Sequence, residues 1–489
     1  MEKDDSVENP TKVNGYACAC AIVGSMISII FGYDTGVMSG AMLYVKKEFQ
    51  INDHKTEILA GILNLCALVG ALSAGATSDA IGRRNTMIIA SIIFLLGSVL
   101  MGYGPNYITL LGGRCVAGVG VGFALMIAPV YSAEISSPKT RGFLTSLPEI
   151  GISVGILLGY LSNYIFSRLY LQLGWRIMLG IAAIPSLLLA VGLLKMPESP
   201  RWLIMKGRLG DAKKILYKVS NTPEEAEIRL RDIKEAMGID VNCDDDVVKI
   251  HESKESHGVW KELLLRPTPT LRWILIAGVG IHFFEHATGI EAVILYSHKI
   301  FAKAGVHDTR KQILATVGVG LTKFIAIVAS TFLVDKVGRR KLLLFSVIGM
   351  ICTLAGLGTF LTLAEHSGGK IIWALVLSII STYAYVGFFN IGLAPVTWVY
   401  CAEIYPLRYR AFGNGLGVAV NRLMNATVSM TFLTMSNAIT IGGTFFLFCG
   451  VSVVALFFVI FFCPETKGKS LEEMESLFTR RKNADDTNK

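Results

Sequence analysis

Apolar stretches of about twenty residues, each long enough as a helix to cross the hydrocarbon core of a bilayer, recur along almost the whole of this chain. They are read near residues 17–45, 57–78, 86–104, 108–134, 143–166, 175–196, 272–302, 309–334, 341–364, 371–403, 411–436 and 441–463, with short polar turns between most of them. A soluble chain of 489 residues needs a charged surface, but here 52% of residues are hydrophobic, only 17% are charged, and the mean hydropathy is +0.54. Backbone polar groups must pair internally in lipid. The expectation is an all-α membrane protein of twelve transmembrane helices.

The formal charge of +9 does not form the single patch a nucleic-acid partner would need. About 32 of the 46 Lys and Arg residues fall in the tails and in every second loop, which by the positive-inside bias places both termini and the central loop in the cytoplasm. The opening MEKDDSVENP is acidic and has no basic n-region or cleavage site, so the first span is expected to be retained. Eight of the nine cysteines, Cys243 being the exception, fall within or beside spans, and no structural disulfide is expected.

Residues 197–271 are the only long hydrophilic stretch, and LGDAKKILYKVS and EEAEIRLRDIKEAM carry the mixed-charge rhythm of short amphipathic helices. They divide the chain into an N-terminal six-helix bundle (1–196), a cytoplasmic linker (197–271), a C-terminal six-helix bundle (272–463) and a cytoplasmic tail (464–489). The halves repeat about 260 residues apart: GATSDAIGRR (75–84) returns as DKVGRR (335–340), Glu134 with Arg141 as Glu403 with Arg410, and PESPRW (197–202) as PETKGK (464–469). Parallel halves with a solute bound between them are a transporter design. Glycine and proline concentrate in FGYDTGVMSG (31–40), RCVAGVGVG (114–122), HATGIEA (286–292) and GFFNIGLAPVTW (387–398). Interrupted helices there are expected to line a cavity.

FGYDTG, the two D-x-x-G-R-R turns, PESPRW, PETKGK and the duplicated Glu/Arg pairs, in that order, resemble the sugar porters of the major facilitator superfamily over essentially the whole chain. Within that family SLPEIGISVGIL (146–157) and HFFEHATGIEAVILYS (282–297) are most similar to plant polyol/monosaccharide proton symporters. The resemblance implies a major facilitator fold of two pseudo-symmetric bundles and proton-coupled transport of a polyol or monosaccharide by alternating access. It also implies no cofactor, a monomer, and a plasma membrane rather than a vacuolar one.

A lone charge at mid-membrane costs on the order of 3 kcal/mol or more, so each one needs a partner and a purpose. Asp34 and Arg114 lie in spans one and four and are expected to pair. By similarity to proton-coupled sugar porters Asp34 is the proton acceptor, whereas facilitative glucose carriers have Asn there; the plain alternative is a static salt bridge. Arg114 nearby keeps the carboxylate ionised, and its departure favours the protonated form. One charge crossing about 100 mV yields roughly 2.3 kcal/mol, enough for close to fifty-fold accumulation of a neutral solute.

Glu149 stands where relatives hold a substrate-binding Gln, and is expected to accept solute hydroxyls or to titrate; otherwise it is an acid at a helix start. Phe31, in the FGYDTG motif, joins the expected binding residues. In span seven, Glu285, His286 and Glu291 replace the usual Q-Q-x-x-G-I-N, and in span eight Lys323 replaces a sugar-binding Asn. Lys323 is expected to draw its anion from Glu291 or Glu285. Trp398 aligns with the aromatic on which a sugar ring stacks, or else packs at an interface. Asn421 aligns with a polar binding residue, or else joins two helices. Arg422 beside it has no evident role.

Asp79 with Arg83 and Arg84, and Asp335 with Arg339 and Arg340, occupy turns after spans two and eight, while Glu134 with Arg141 and Glu403 with Arg410 follow spans four and ten. In the family such groups form a cytoplasmic gate that ties the halves together when the carrier faces outward. His282-Phe-Phe-Glu285-His286 spells H-x-x-E-H, but inside a span and without a third ligand it does not read as a zinc hydrolase site. GVGVG (118–122) lacks a βαβ setting, and no Walker loop supports ATP-driven pumping. The rival readings are a uniport facilitator and a non-transporting sugar sensor.

Overall fold

The computed structural model describes residues 14–137, 140–237, 239–240, 243, 245–248, 267–366, 371–406 and 409–467. The side chains of Arg141, Asp335 and Arg410, expected at the gate, lie outside the described residues. Apart from one backbone bridge between Arg208 and Val247, the described regular structure is helical.

The first half comprises α1 (Gly15–Phe49), α2 (Asp53–Ile81), α3 (Arg83–Tyr103), α4 (Tyr107–Ile135), α5 (Arg141–Phe166) and the pair α6 (Leu171–Gly180) and α7 (Ala183–Leu194). Short helices α8 (Pro200–Met205), α9 (Leu209–Val219) and α10 (Pro223–Ala236) follow. The second half comprises α11 (Pro269–Ala287), α12 (Ile290–Ala304), α13 (Thr309–Val337), α14 (Arg339–His366), α15 (Ile372–Ile391), α16 (Leu393–Ile404), α17 (Arg410–Ile439) and α18 (Ile441–Phe462). The pairs α6/α7, α11/α12 and α15/α16 each make one span with a break in it.

Eleven spans are long and apolar enough to cross a membrane. The twelfth is α17, whose 30 residues reach about 45 Å but carry too many polar groups to pass on composition alone. Its Asn421, Arg422 and Asn425 are all buried against protein. Lipid-facing positions elsewhere are apolar, with Leu72, Leu96, Leu188, Ile325 and Phe332 all exposed.

Helix starts follow from capping chemistry. Asn14, Asn52, Asn106, Thr222 and Thr268 each accept a backbone N–H of the first turn of α1, α2, α4, α10 and α11, satisfying donors that have no partner inside the helix.

Of the four glycine- and proline-rich stretches, those in spans seven and ten mark breaks and those in spans one and four do not. The first and fourth spans are continuous helices; Gly32 and Gly36 of α1 instead lie against Ile152 and Ile156 of α5, and Gly155 and Gly159 of α5 lie against α1 in return. A Cβ at any of the four would strike backbone, so these glycines serve close helix packing rather than interruption. Gly118 and Gly122 of α4 do the same against α2.

True breaks occur in spans six, seven and ten. In span seven Gly289 adopts φ +94°, and the carbonyl of Thr288 freed there accepts from the Tyr385 hydroxyl at 3.0 Å. In span ten Gly392 precedes Pro395, and neighbouring serines take up the freed groups: Ser330 donates to the Ile391 carbonyl at 2.7 Å, and Ser346 accepts from Leu393 N–H at 3.0 Å. Such compensation lets irregular backbone persist at membrane depth.

Within the first half, α1 packs along α5 and α4 packs between α2 and α3; α14 packs with α15 and α18 in the second. The halves meet chiefly through α2 with α17, α5 with α13, and α1 with α12. The short helices dock under the first half, where Arg229 of α10 donates to the Ile135 and Ser136 carbonyls at 3.0 and 2.9 Å, closing the end of α4. The side of the molecule bearing these helices is called the terminal face below.

Candidate transport site

Asp34 and Arg114, each 1% exposed, form an ion pair between α1 and α4. Arg114 also donates from Nε and Nη2 to the carbonyls of Leu59 and Ala60 on α2, at 3.2 and 3.3 Å. One side chain therefore holds three helices of the first half. Asp34 does not sit at a helix break; α1 runs straight through it.

Between the halves lies a cavity of about 60 Å³. Phe31 and Thr35 of α1, Asn64 of α2, Leu125 of α4 and Glu149, Ile152 and Ile156 of α5 line it from the first half. The second half supplies Glu285 and His286 of α11, Ile290, Glu291 and Ile294 of α12, Lys323 of α13, Phe389 of α15, Ala394 and Trp398 of α16, and Arg422 and Asn425 of α17. A six-carbon solute held there would touch both halves at once. The lining suits such a guest: apolar and aromatic walls for C–H faces, with convergent donors and acceptors for hydroxyls.

Amides hold the acids of the second half. Asn421 Nδ2 donates to Glu285 Oε2 at 2.7 Å, and His282 Nδ1 lies 3.3 Å from the same oxygen. Asn425 Nδ2 donates to Glu291 Oε1 at 2.8 Å; His286 Nδ1 is 3.5 Å from that oxygen without the geometry of a hydrogen bond. The expected pairing of Lys323 with Glu291 or Glu285 is not present. Each amide bonds one oxygen of its carboxylate, and Lys323, 6% exposed, faces the cavity with no ion pair or hydrogen bond among the described residues.

Asn421 itself is fully buried and outside the cavity lining, joining α17 to α11. Its amide thus ties the two helices together through Glu285. Arg422 is explained by the same cluster: Nε and Nη2 donate to Asn421 Oδ1 at 3.0 and 2.5 Å, and Nη1 reaches across to Asn64 Oδ1 at 3.4 Å. Trp398 lines the cavity and meets the His282 ring edge-on at 5.1 Å. His282, Glu285 and His286 of the H-x-x-E-H string are thus absorbed into this wall. Asn64 and Asn425 escaped the sequence reading because an uncharged amide in a span carries no cost large enough to flag it; only adjacency reveals it.

On the terminal face the two halves repeat one construction. Arg83 donates to Glu134 at 3.0 Å and to Asp79 at 2.9 Å, while Ser199 Oγ donates to Glu134 at 2.5 Å. Glu198 accepts the N–H groups of Arg83 and Arg84 at 2.8 and 3.0 Å, capping α3. In the second half Arg339 donates to Glu403 at 2.7 Å, Thr466 Oγ1 donates to Glu403 at 2.6 Å, and Glu465 accepts from the N–H groups of Arg339 and Arg340, capping α14. Burial opposes charge on Glu465, but the N–H groups of Lys467, Arg339, Arg340 and Thr466 hold its carboxyl below the usual range. Gly82 and Gly338 sit at φ +101° and +99°, and a Cβ on either would run into the capping carboxylate. Arg84 and Arg340 donate to the carbonyls of Met196 and Ile460 in their own halves.

These described clusters close within each half. The described hydrogen bonds that cross between the halves lie at cavity level or toward the opposite face. Asp53 accepts from Lys46 and from Lys299 of the other half at 2.6 and 2.8 Å. Fully buried Glu57 accepts from the N–H and hydroxyl of Thr434 at 2.7 and 2.6 Å. Tyr160 donates to the Ile294 carbonyl at 2.7 Å, and Arg310 lies over the Tyr164 ring.

A profile of the family described as Sugar (and other) transporter matches residues 18–478. The chain is 62% identical over 482 residues to "Probable polyol transporter 6" of Arabidopsis thaliana, covering 98% of each. It is 54% identical over 471 residues to "Polyol transporter 5" of the same plant, covering 96% of this chain and 87% of that one. Among solved structures it is similar to the proton:xylose symporter XylE bound to 6-bromo-6-deoxy-D-glucose, with a TM-score of 0.78 and 27% identity over 96% of this chain and 100% of that one. Its twelve spans, its duplicated terminal-face construction and these matches agree: the chain belongs to the sugar transporter family of the major facilitator superfamily.

Proposed function

We propose that this chain is a secondary active transporter that carries a polyol or a monosaccharide together with a proton, by alternating access. Polyol transporters among its relatives and a proton:xylose symporter among its structural neighbours support both parts of that reading. The units that rock are residues 1–196 and 272–463, joined by the linker 197–271. The terminal face is cytoplasmic, so both termini, including the tail 464–489, lie inside the cell, and the plasma membrane rather than the vacuolar membrane is the site of action. The carrier works as a monomer in the bilayer.

The observation that carries the coupling is the sealed Asp34–Arg114 pair and its grip on α2. A proton arriving on Asp34 removes the charge that holds Arg114, and Arg114 is what fastens the Leu59 and Ala60 carbonyls beside Glu57. Glu57 in turn binds Thr434 of the other half, so a protonation event inside one bundle reaches a tie between bundles. Phe31, Glu149, Glu285, His286, Glu291, Lys323 and Trp398 surround the solute, with Asn421 supporting Glu285 from behind.

The test is current recording in oocytes across a panel of polyols and sugars at two pH values. Wild-type protein should give inward, acid-stimulated current with a solute of this class, and Asp34→Asn should keep solute exchange while accumulating less than the wild type. Accumulation by Asp34→Asn equal to wild type would sink the assignment; flux without current in the wild type would mean a uniporter.

A further inference from the structure

Two charge clusters among the described residues lie at the depth of the cavity, and they differ in balance. Asp34 and Arg114 match one for one within the first half. The cavity cluster holds three carboxylates, Glu149, Glu285 and Glu291, against two permanent cations, Lys323 and Arg422. From the other elements that line the cavity with Glu149 come His286 of α11, with His282 against Glu285 beside it, and the uncharged Asn64 of α2, while α1 presents Phe31 and Thr35. Counted over the permanent charges, the carboxylates of this cluster outnumber its cations by one. A neutral solute that displaces water from it would leave that charge buried without compensation, which is costly unless a proton joins it.

Geometry selects which carboxylate takes the proton. Glu285 and Glu291 each accept from an amide and have a histidine ring nitrogen within 3.5 Å. Glu149 has no side-chain donor among the described residues and looks into the cavity from the first half, facing the charge of Lys323 on the second. We infer that the cavity is a second proton-binding centre, separate from Asp34, in which Glu149 takes a proton from solution as the solute enters. The event makes one O–H bond and breaks none in the solute. Protonated Glu149 gains a donor for a solute hydroxyl, and the three N–H groups of unpartnered Lys323 meet hydroxyl oxygens from the other side. The solute then bridges Glu149 of the first half and Lys323 of the second.

This inference rests on the proposed transport of a polyol or sugar, and its test separates the two. Full-length protein in liposomes, at equal pH inside and out, is assayed for exchange of radiolabelled sorbitol, xylitol, myo-inositol, glucose and xylose. The half-saturation constant of the best of them is followed from about pH 5 to about pH 8. In wild type and in Asp34→Asn it should tighten toward acid, by up to about tenfold per pH unit, the limit for one linked proton. In Glu149→Gln it should be flat, and in Glu149→Asp the slope should return with a displaced midpoint. A flat profile in Asp34→Asn, or a wild-type slope in Glu149→Gln, overturns the second centre while leaving transport intact. Should Glu149→Gln fail to fold, the Asp34→Asn and Glu149→Asp profiles decide alone. If none of the five solutes exchanges, the transport reading fails first and this inference with it.

Discussion

The two faces of the molecule use similar polar groups to opposite ends. On the terminal face Arg83, Glu134, Glu198 and Ser199 close a cluster within the first half, and Arg339, Glu403, Glu465 and Thr466 build its duplicate within the second. On the opposite face Asp53, Glu57 and Tyr160 bond across the boundary to Lys299, Thr434 and Ile294. Among the described residues the first arrangement bonds each bundle to itself, whereas the second bonds one bundle to the other. A rocking motion that admits solute from the opposite face must break the second and can leave the first untouched.

Breaking a terminal-face cluster should have the largest effect and should act on folding. Glu134→Ala leaves Arg83, 8% exposed on its side chain, without its main partner, at a cost of about 3–5 kcal/mol. Thermal unfolding in detergent should show the loss, with turnover per folded molecule much less affected. Glu403→Ala should cost less, because Glu403 is 27% exposed and Arg339 12%. Equal losses in the two halves would contradict the burial argument.

Cutting the opposite face should instead shift conformation. Glu57→Gln weakens the hold on Thr434 by about 1–3 kcal/mol, which is roughly 5- to 150-fold in the population opened on that side. A Thr56→Cys probe should then react faster with a membrane-impermeant maleimide, and no acceleration would remove Glu57 from the seam. A smaller effect is expected for Asp53→Asn, whose two lysine bonds are partly solvated and worth about 0.2–1 kcal/mol each. Its signature is loss of salt sensitivity in the solute-entry rate.

The smallest effect is confined to acid. Because the Glu465 carboxyl is held below its usual range, its cap on α14 contributes fully near neutrality and is lost only as pH falls through that lowered value. Unfolding of the wild type should therefore lose this contribution only below about pH 4, whereas Glu465→Gln should lack it at pH 7.

Much of this organisation was legible in residue order. The pairing of Asp34 with Arg114 followed from the cost of leaving either charge alone in a span, and the structure brings them together. The same reasoning misplaced the partner of Lys323, because it counted charges and overlooked Asn421 and Asn425, amides able to satisfy Glu285 and Glu291 first. Glycine content marked spans one and four as broken, but those glycines admit a neighbouring helix. A missing Cβ serves both purposes, and only the identity of what lies opposite separates them.

What the sequence determined by itself is the solvent, the number of spans, the duplication and the family. Each rests on properties that sum along the chain: apolar length, charge alternation and motif spacing. Only the tertiary structure decided that the described bonds of the duplicated clusters lie within their halves, that the described ties across lie at cavity level or toward the opposite face, and that Glu149 and Lys323 face a shared cavity. Those are relations between residues from 51 to 377 positions apart, set by how helices rotate and tilt against one another, which packing fixes and periodicity does not.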